Sequence, residues 1–212
     1  MPTSVAFLGL GAIGAPMAAH VARAGHTLSV WNRSAHRAAD GVAAAAGARV
    51  ATSPADAVHA ADIVITCLPE SADVAALLAA DDGAMSKALR SGTLFVDCTS
   101  GDPETSRRIA ADLAARGVDF IDAPVSGGVV GAEAGKLTVM VGGEAAALER
   151  ARPILESFAG KIVHCGEIGA GHALKAVNNA LLALHIWSTA EGLVAALKAG
   201  VRPDVADRKS VV

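Results

Sequence analysis

The sequence predicts an α/β fold: a doubly wound, mostly parallel sheet followed by a long helix that begins an all-α domain. Three observations carry this. Short β-branched runs alternate with alanine-rich helical stretches, and strand, helix, strand at that spacing means βαβ units. A glycine-rich turn, Gly9-Leu10-Gly11-Ala12-Ile13-Gly14, joins the first strand to the first helix. From Ala170 to Ala199 the pattern changes to one long helical stretch with no further strand. Two parts are expected, a sheet domain over 1–165 and, over 166–212, the long helix with the start of a helical domain.

In order, Val5–Leu8 reads as a strand, Ala12–Ala24 as a helix, Thr27–Trp31 as a strand and Arg37–Ala46 as a helix. Ile63–Leu68 is a continuous apolar run, as a strand covered on both faces requires. Leu94–Asp97 and Phe120–Ile121 are further strands around the helix Pro103–Arg116, and Leu137–Val141 and Ile162–His164 follow around the helix Glu144–Phe158. The stretch 170–199 is apolar almost all round, where a lone surface helix would be polar on one side. Gly200-Val201-Arg202-Pro203-Asp204 reads as a helix stop followed by a new helix start.

Composition narrows the function. Of 212 residues 52% are hydrophobic and 18% charged, which excludes a disordered chain. A net charge of −3 and 3% aromatics, with no Tyr, argue against a nucleic-acid partner. Cys67, Cys98 and Cys165 show no paired spacing, so reduced, buried thiols and no metal site are expected. The N-terminus lacks the basic region of a signal peptide. Lys175, Asn178, Asn179, His185, Glu191 and Lys198 interrupt the apolar helix and argue against a membrane span. A soluble, cytoplasmic protein is the expectation.

The glycine turn follows a strand and opens a helix inside a βαβ unit. Its first glycine permits the tight turn, its second lets backbone approach a pyrophosphate, and its third lets helix and strand pack closely. That context makes the sheet Rossmann-like and predicts a dinucleotide on Gly9, Leu10, Gly11, Ala12, Ile13 and Gly14. After the second strand, Asn32-Arg33-Ser34 stands where an acid would bind a free ribose 2′-hydroxyl. Asn32 removes the carboxylate that would repel a 2′-phosphate, and Arg33 and Ser34 can donate to one, so NADP is preferred, with NAD possible.

A second glycine-rich segment, Asp122-Ala123-Pro124-Val125-Ser126-Gly127-Gly128, also follows a strand. A hydroxyl and two unhindered amides can hold a carboxylate there. Spacing alone equally fits a loop with no ligand. Lys175 and Asn179 lie four apart and share a helical face, with Asn178 at its border. A desolvated lysine suits proton transfer; a lysine with a packed stem and a wet amine fits the same spacing.

Three ordered segments then resemble one family, the β-hydroxyacid dehydrogenases of the 3-hydroxyisobutyrate dehydrogenase and tartronate semialdehyde reductase group. Residues 7–18 resemble its cofactor signature, residues 122–128 with Gly131, Gly135 and 140–143 its substrate segment, and Gly169-Ala170-Gly171, Lys175 and Asn178-Asn179 its catalytic helix start. Asp97-Cys98-Thr99-Ser100 resembles its loop near the nicotinamide, and Cys67-Leu68-Pro69 its loop after the fourth strand. The resemblance implies hydride transfer between a nicotinamide cofactor and a 3-hydroxy acid or its semialdehyde. It implies Lys175 as general acid and base, Ser126, Gly127 and Gly128 on the substrate carboxylate, Asn179 on an oxygen of the substrate, and Cys67, Leu68, Pro69 and Thr99 at the cofactor. Ile13 and His20 depart from the signature, which usually has Met and Asn. The family continues into a helical C-terminal domain with a further lysine and much of the dimer contact. Most of that domain is expected to be absent here, which leaves open a cofactor-binding module with little turnover. A homo-oligomer, a dimer first, is expected. The 6-phosphogluconate dehydrogenase group is also similar, but usually has His where Asn178 stands.

Overall fold

The structure, a computed structural model, describes residues 2–39, 41 and 46–210. The chain forms two compact units, Met1–Lys175 and Ala176–Val212.

The first unit is built on a sheet with nine strands among the described residues. They are β1 (Ser4–Leu8), β2 (Thr27–Trp31), β3 (Arg49–Val50), β4 (Ile63–Thr66), β5 (Leu94–Asp97), β6 (Asp119–Asp122), β7 (Val125–Ser126), β8 (Leu137–Gly142) and β9 (Ala159–Gly166). The order β3-β2-β1-β4-β5-β6 is parallel throughout. The direction then reverses: β8 runs antiparallel to β6 and β7, which are successive stretches of one path broken at Ala123-Pro124. β9 lies parallel on the other edge of β8.

The helices of this unit among the described residues are α1 (Gly14–Arg23), α2 (Ala35–Ala39), α3 (Pro54–Val58), α4 (Ser71–Ala88), α5 (Pro103–Ala114), α6 (Gly128–Glu133) and α7 (Ala145–Leu155). Alternation within strands divides the core between two faces. Phe7, Ile63, Ile65 and Val96 face α1 residues Met17 and Val21, while Val64, Phe95 and Phe120 face α5 residues Ile109 and Leu113. The continuous Ile63-Val64-Ile65 run is therefore buried on both sides, as a central parallel strand requires. Each such side chain contributes about 1.5–3 kcal/mol of burial.

Some elements differ from the sequence expectation. β3, α3, α4, β7 and α6 were not anticipated. α3 carries a readable signal, since the Ser53 side chain accepts from the Asp56 amide and Pro54 occupies the first turn. α4 does not: its path breaks at residues 80–83, where Asp81 and Asp82 have φ of 50° and 54°. β9 extends well beyond Ile162–His164, because it is a partly exposed edge strand without a run of apolar residues. α2 is short, and most of the expected helix beyond it, residues 40 and 42–45, lies outside the described residues.

α8 (Ala170–Lys198) starts in the first unit and supplies most of the second, with α9 (Pro203–Ser210). Gly200, with φ of 82°, ends α8: the Val201 amide reaches back to the Ala196 carbonyl at 2.9 Å and that of Gly200 to Leu197 at 3.0 Å. Along α8, Leu184, Ile186 and Trp187 are 63%, 63% and 72% exposed. By length and composition, with a mean hydropathy of 1.5, α8 is long and apolar enough to cross a membrane.

Candidate active site

The strand order reverses between β2-β1 and β4, and the crevice of such a sheet opens beyond the C-terminal ends of these strands. The glycine turn sits there. The Gly9 amide bonds the Trp31 carbonyl at 3.0 Å, and φ at Gly9 is 101°. A Cβ on Gly9 would strike the Cys67 carbonyl and lie 2.8 Å from Leu68 Cδ2. A Cβ on Gly14 would strike the Gly9 carbonyl. A Cβ on Gly11 would meet nothing within 4 Å, so space is open above that residue. No side chain caps α1, and its first turn holds no acid. Amides and a positive dipole end beside open space suit a pyrophosphate.

The Asn32 Oδ1 accepts from the Leu10 amide at 2.9 Å, and its Nδ2 donates to the Ser34 carbonyl at 3.1 Å. Asn32 thus braces the glycine turn. Arg33 and Ser34 are exposed, and the Arg33 guanidinium has no hydrogen bond or ion pair among the described residues.

Beyond β4, Cys67 and Leu68 are partly buried and Pro69 is exposed. Beyond β5, Thr99 is fully buried; its Oγ1 accepts from the Leu68 amide at 3.1 Å. Its own amide donates to Asp97 Oδ1 at 3.1 Å, an oxygen that also accepts from Thr66 Oγ1 at 2.8 Å. The cysteines are free. Cys98 is buried as expected, whereas Cys67 and Cys165 are only partly so. Burial, with the Asp97 charge nearby, pushes the Cys67 thiol up to about 12.

The second glycine segment lies where β7 passes into α6. Ser126 is partly buried, and Gly127 and Gly128 are exposed with φ of 135° and 63°. A groove of about 530 Å3 beside the glycine turn is lined by Gly11 and Ala12 and by Val129 and Glu133 of α6; Ser126, Gly127 and Gly128 do not line it. Lys175 is half-buried on the second turn of α8, and desolvation lowers its pKa from the ordinary lysine value. Asn178 is partly buried and Asn179 exposed, both on the continuation of α8 in the second unit.

Asp97 and Asp122 open two of the motifs named from the sequence but received no role there, nor did His172; all three are fully buried beside these segments. The signal available was an acid at the end of each of two apolar strands. Burial raises the Asp122 pKa, against the pull of the Gly169 and His172 amides that it accepts. Among the described residues no three His, Cys, Asp or Glu gather as metal ligands.

Comparison with known proteins bears on this geometry. Residues 4–166 match the model described as the NAD binding domain of 6-phosphogluconate dehydrogenase. Residues 169–208 match that of the NAD-binding of NADP-dependent 3-hydroxyisobutyrate dehydrogenase. The chain is 42% identical over 203 residues to a 3-hydroxyisobutyrate dehydrogenase of Pseudomonas aeruginosa, covering 96% of this chain and 67% of that one. The chain belongs to the β-hydroxyacid dehydrogenase family. Another family relative, an NAD-dependent L-serine dehydrogenase of the same organism, is 45% identical over 201 residues, 95% of this chain and 66% of its own. The structure of Mycobacterium tuberculosis 3-hydroxyisobutyrate dehydrogenase with L-serine superposes with a TM-score of 0.89 at 43% identity, covering 95% of this chain and 67% of that one. The chain thus spans about two thirds of the length of these β-hydroxyacid dehydrogenases. The Rossmann-like expectation and the family resemblance are borne out, and the first unit is an NAD(P)-binding domain of the family.

Proposed function

We propose that this β-hydroxyacid dehydrogenase chain transfers a hydride between NADP and a small 3-hydroxy acid or its semialdehyde, with Lys175 moving the proton. What supports the reading most is an anion-ready glycine turn with open space above Gly11, together with a desolvated lysine near the start of the long helix α8. The relatives named for L-serine and 3-hydroxyisobutyrate act on molecules that share a hydroxymethyl group beside a carboxylate-bearing carbon. Ser126 Oγ and the amides of Gly127 and Gly128 would hold that carboxylate, and Asn179 a second oxygen. The nicotinamide supplies the hydride acceptor or donor when bound. In oxidation, neutral Lys175 takes the hydroxyl proton as the carbonyl forms; in reduction, its ammonium returns it.

NADP is favoured over NAD because Asn32 is neutral and occupied with the turn, while Arg33, unpaired among the described residues, would meet a 2′-phosphate. The L-serine relative's printed NAD dependence is that protein's own. The boundary near residue 165, the cytoplasmic location, the absence of membrane and nucleic-acid partners and a dimer belong to the same reading. A module that binds cofactor with little turnover is the competing reading, which the turnover assay separates from this one.

Turnover of short 3-hydroxy acids with NADP, followed at 340 nm, tests the assignment. Oxidation should rise with pH as Lys175 loses its proton, with a midpoint below the ordinary lysine value of 10.5, and reduction should fall over the same window. Lys175→Ala should lower kcat at least about a hundredfold and leave NADPH binding unchanged. A near-normal kcat would return Lys175 to a packing role.

A further inference from the structure

Three adjacent strands end in a buried polar row. Thr66, Asp97 and Asp122 are register neighbours on β4, β5 and β6, and Gly142 of β8 closes the row. All three side chains are fully buried. By alternation they lie on the face that carries Val64, Phe95 and Phe120. A carboxylate in such a place is costly unless donors reach it. Asp97 Oδ1 collects donors from Thr66 on the adjacent strand and from the Thr99 amide, while its Oδ2 has no partner among the described residues. Asp122 collects them from a segment 47 and 50 residues later: Oδ1 accepts from the Gly169 amide at 2.6 Å and Oδ2 from the His172 amide at 2.8 Å.

Room for this contact is built in. A Cβ on Gly142 would lie 2.5 Å from Asp122 Oδ1, and one on Gly171 would lie 2.8 Å from Oδ2. The amides involved belong to the start of α8, where a helix has no donors' partners of its own. A carboxylate from a distant strand therefore does what a local capping side chain does elsewhere. The His172 ring continues the linkage. Its Nε2 donates to the Thr99 carbonyl across 2.9 Å, and its Nδ1 lies 2.6 Å from Ser106 Oγ, whose hydroxyl donates to the Asp102 carbonyl at 2.9 Å.

We propose that Asp122 and His172 are positioning residues for Lys175: the carboxylate fixes the first turn of α8 to the end of β6, and the ring fixes it to the Thr99 loop and α5. This rests on Lys175 as the proton-transfer residue. Lys175 follows His172 by three residues, so its stem rises from the turn that the two anchors hold. Asp122 also precedes Ser126 by four residues, so one carboxylate sets the lysine helix against the strand that leads into the proposed carboxylate-holding loop. Without the anchors the first turn would fray, as unpaired helix starts do, and the lysine amine would gain water.

Two readouts test this in the chain as it stands, without turnover: amide hydrogen exchange over 169–175, and the pH dependence of Lys175 acylation by acetic anhydride. Asp122→Asn keeps the shape but turns one acceptor into a donor facing an N–H. His172→Leu removes both ring contacts, whereas His172→Gln keeps an N–H that reaches the Thr99 carbonyl. Asp122→Asn and His172→Leu should each raise exchange about tenfold or more and move the Lys175 midpoint up toward that of a free lysine. NADPH affinity should stay within about twofold, and His172→Gln should keep the parent's protection. Where a hydroxy acid is turned over, kcat should fall in the first two variants with KM for NADPH unchanged. Unchanged exchange and an unchanged Lys175 midpoint in both variants would overturn the proposal. If Asp122→Asn does not fold, the His172 pair decides alone. A parent chain that turns over no hydroxy acid counts against the role given to Lys175, and the two readouts still report on the anchors.

Discussion

Asn32 uses its carbonyl oxygen on the Leu10 amide and one amide hydrogen on the Ser34 carbonyl. An aspartate could accept from Leu10 but could not donate to Ser34, so the neutral residue suits the turn as well as a phosphate. Arg33 next to it is exposed and unpaired among the described residues. Its removal should therefore cost the fold little and the cofactor preference much. Arg33→Ala is expected to leave the melting temperature unchanged and to weaken NADPH about tenfold, with NADH unaffected. Equal affinities for the two cofactors in the parent chain would refute the assignment. The sequence exposed Asn32 and Arg33 because their meaning depends on position after a strand. The roles of Asp122 and His172 stayed hidden because they depend on each other, 50 residues apart.

The glycine turn separates packing from binding within one element. A Cβ at Gly14 overlaps the Gly9 carbonyl, whereas a Cβ at Gly11 meets no protein atom within 4 Å. Gly14→Ala should therefore cost about 1–3 kcal/mol of stability, as overpacking does, and weaken NADPH through a shifted turn. Gly11→Ala should keep the parent's melting temperature and still weaken NADPH, because the methyl group enters the space left for the pyrophosphate. Thermal melts beside cofactor titrations distinguish the two; a destabilised Gly11→Ala would mean that the open space is needed by the fold itself. Long apolar strands and periodic helices were legible, as β2 and β5 show by matching their expected limits. The break at 80–83 in α4 was not, since two aspartates in left-handed geometry carry no periodic signal.

At the scale of the whole chain, α8 carries the clearest demand for a partner. Leu181, Leu182, Leu184, Ile186, Trp187, Val194 and Leu197 are all exposed. Each Leu-sized side chain left in water forgoes about 1.5–3 kcal/mol of burial, and several together form a patch of the kind that drives association. Two copies pairing this helix about a two-fold axis would cover it. Light scattering at micromolar concentration, without detergent, should give a mass above that of one chain, and Leu184→Lys with Ile186→Lys should lower it. A monodisperse monomer would show that the patch is tolerated in water, and a chain that pellets with membranes would show that α8 meets lipid.

The sequence by itself determined the alternation of strands and helices, the glycine turn between β1 and α1, and the lysine near the start of a long helix. Each is written within a window of a dozen residues, where period, glycine position and charge act locally. Only the tertiary structure decided that β8 reverses against β6 and β7, that α6 lines one groove with the glycine turn, and that a carboxylate at the end of β6 holds the first turn of α8. Those outcomes depend on which distant amides reach a buried charge, and no local window contains both partners.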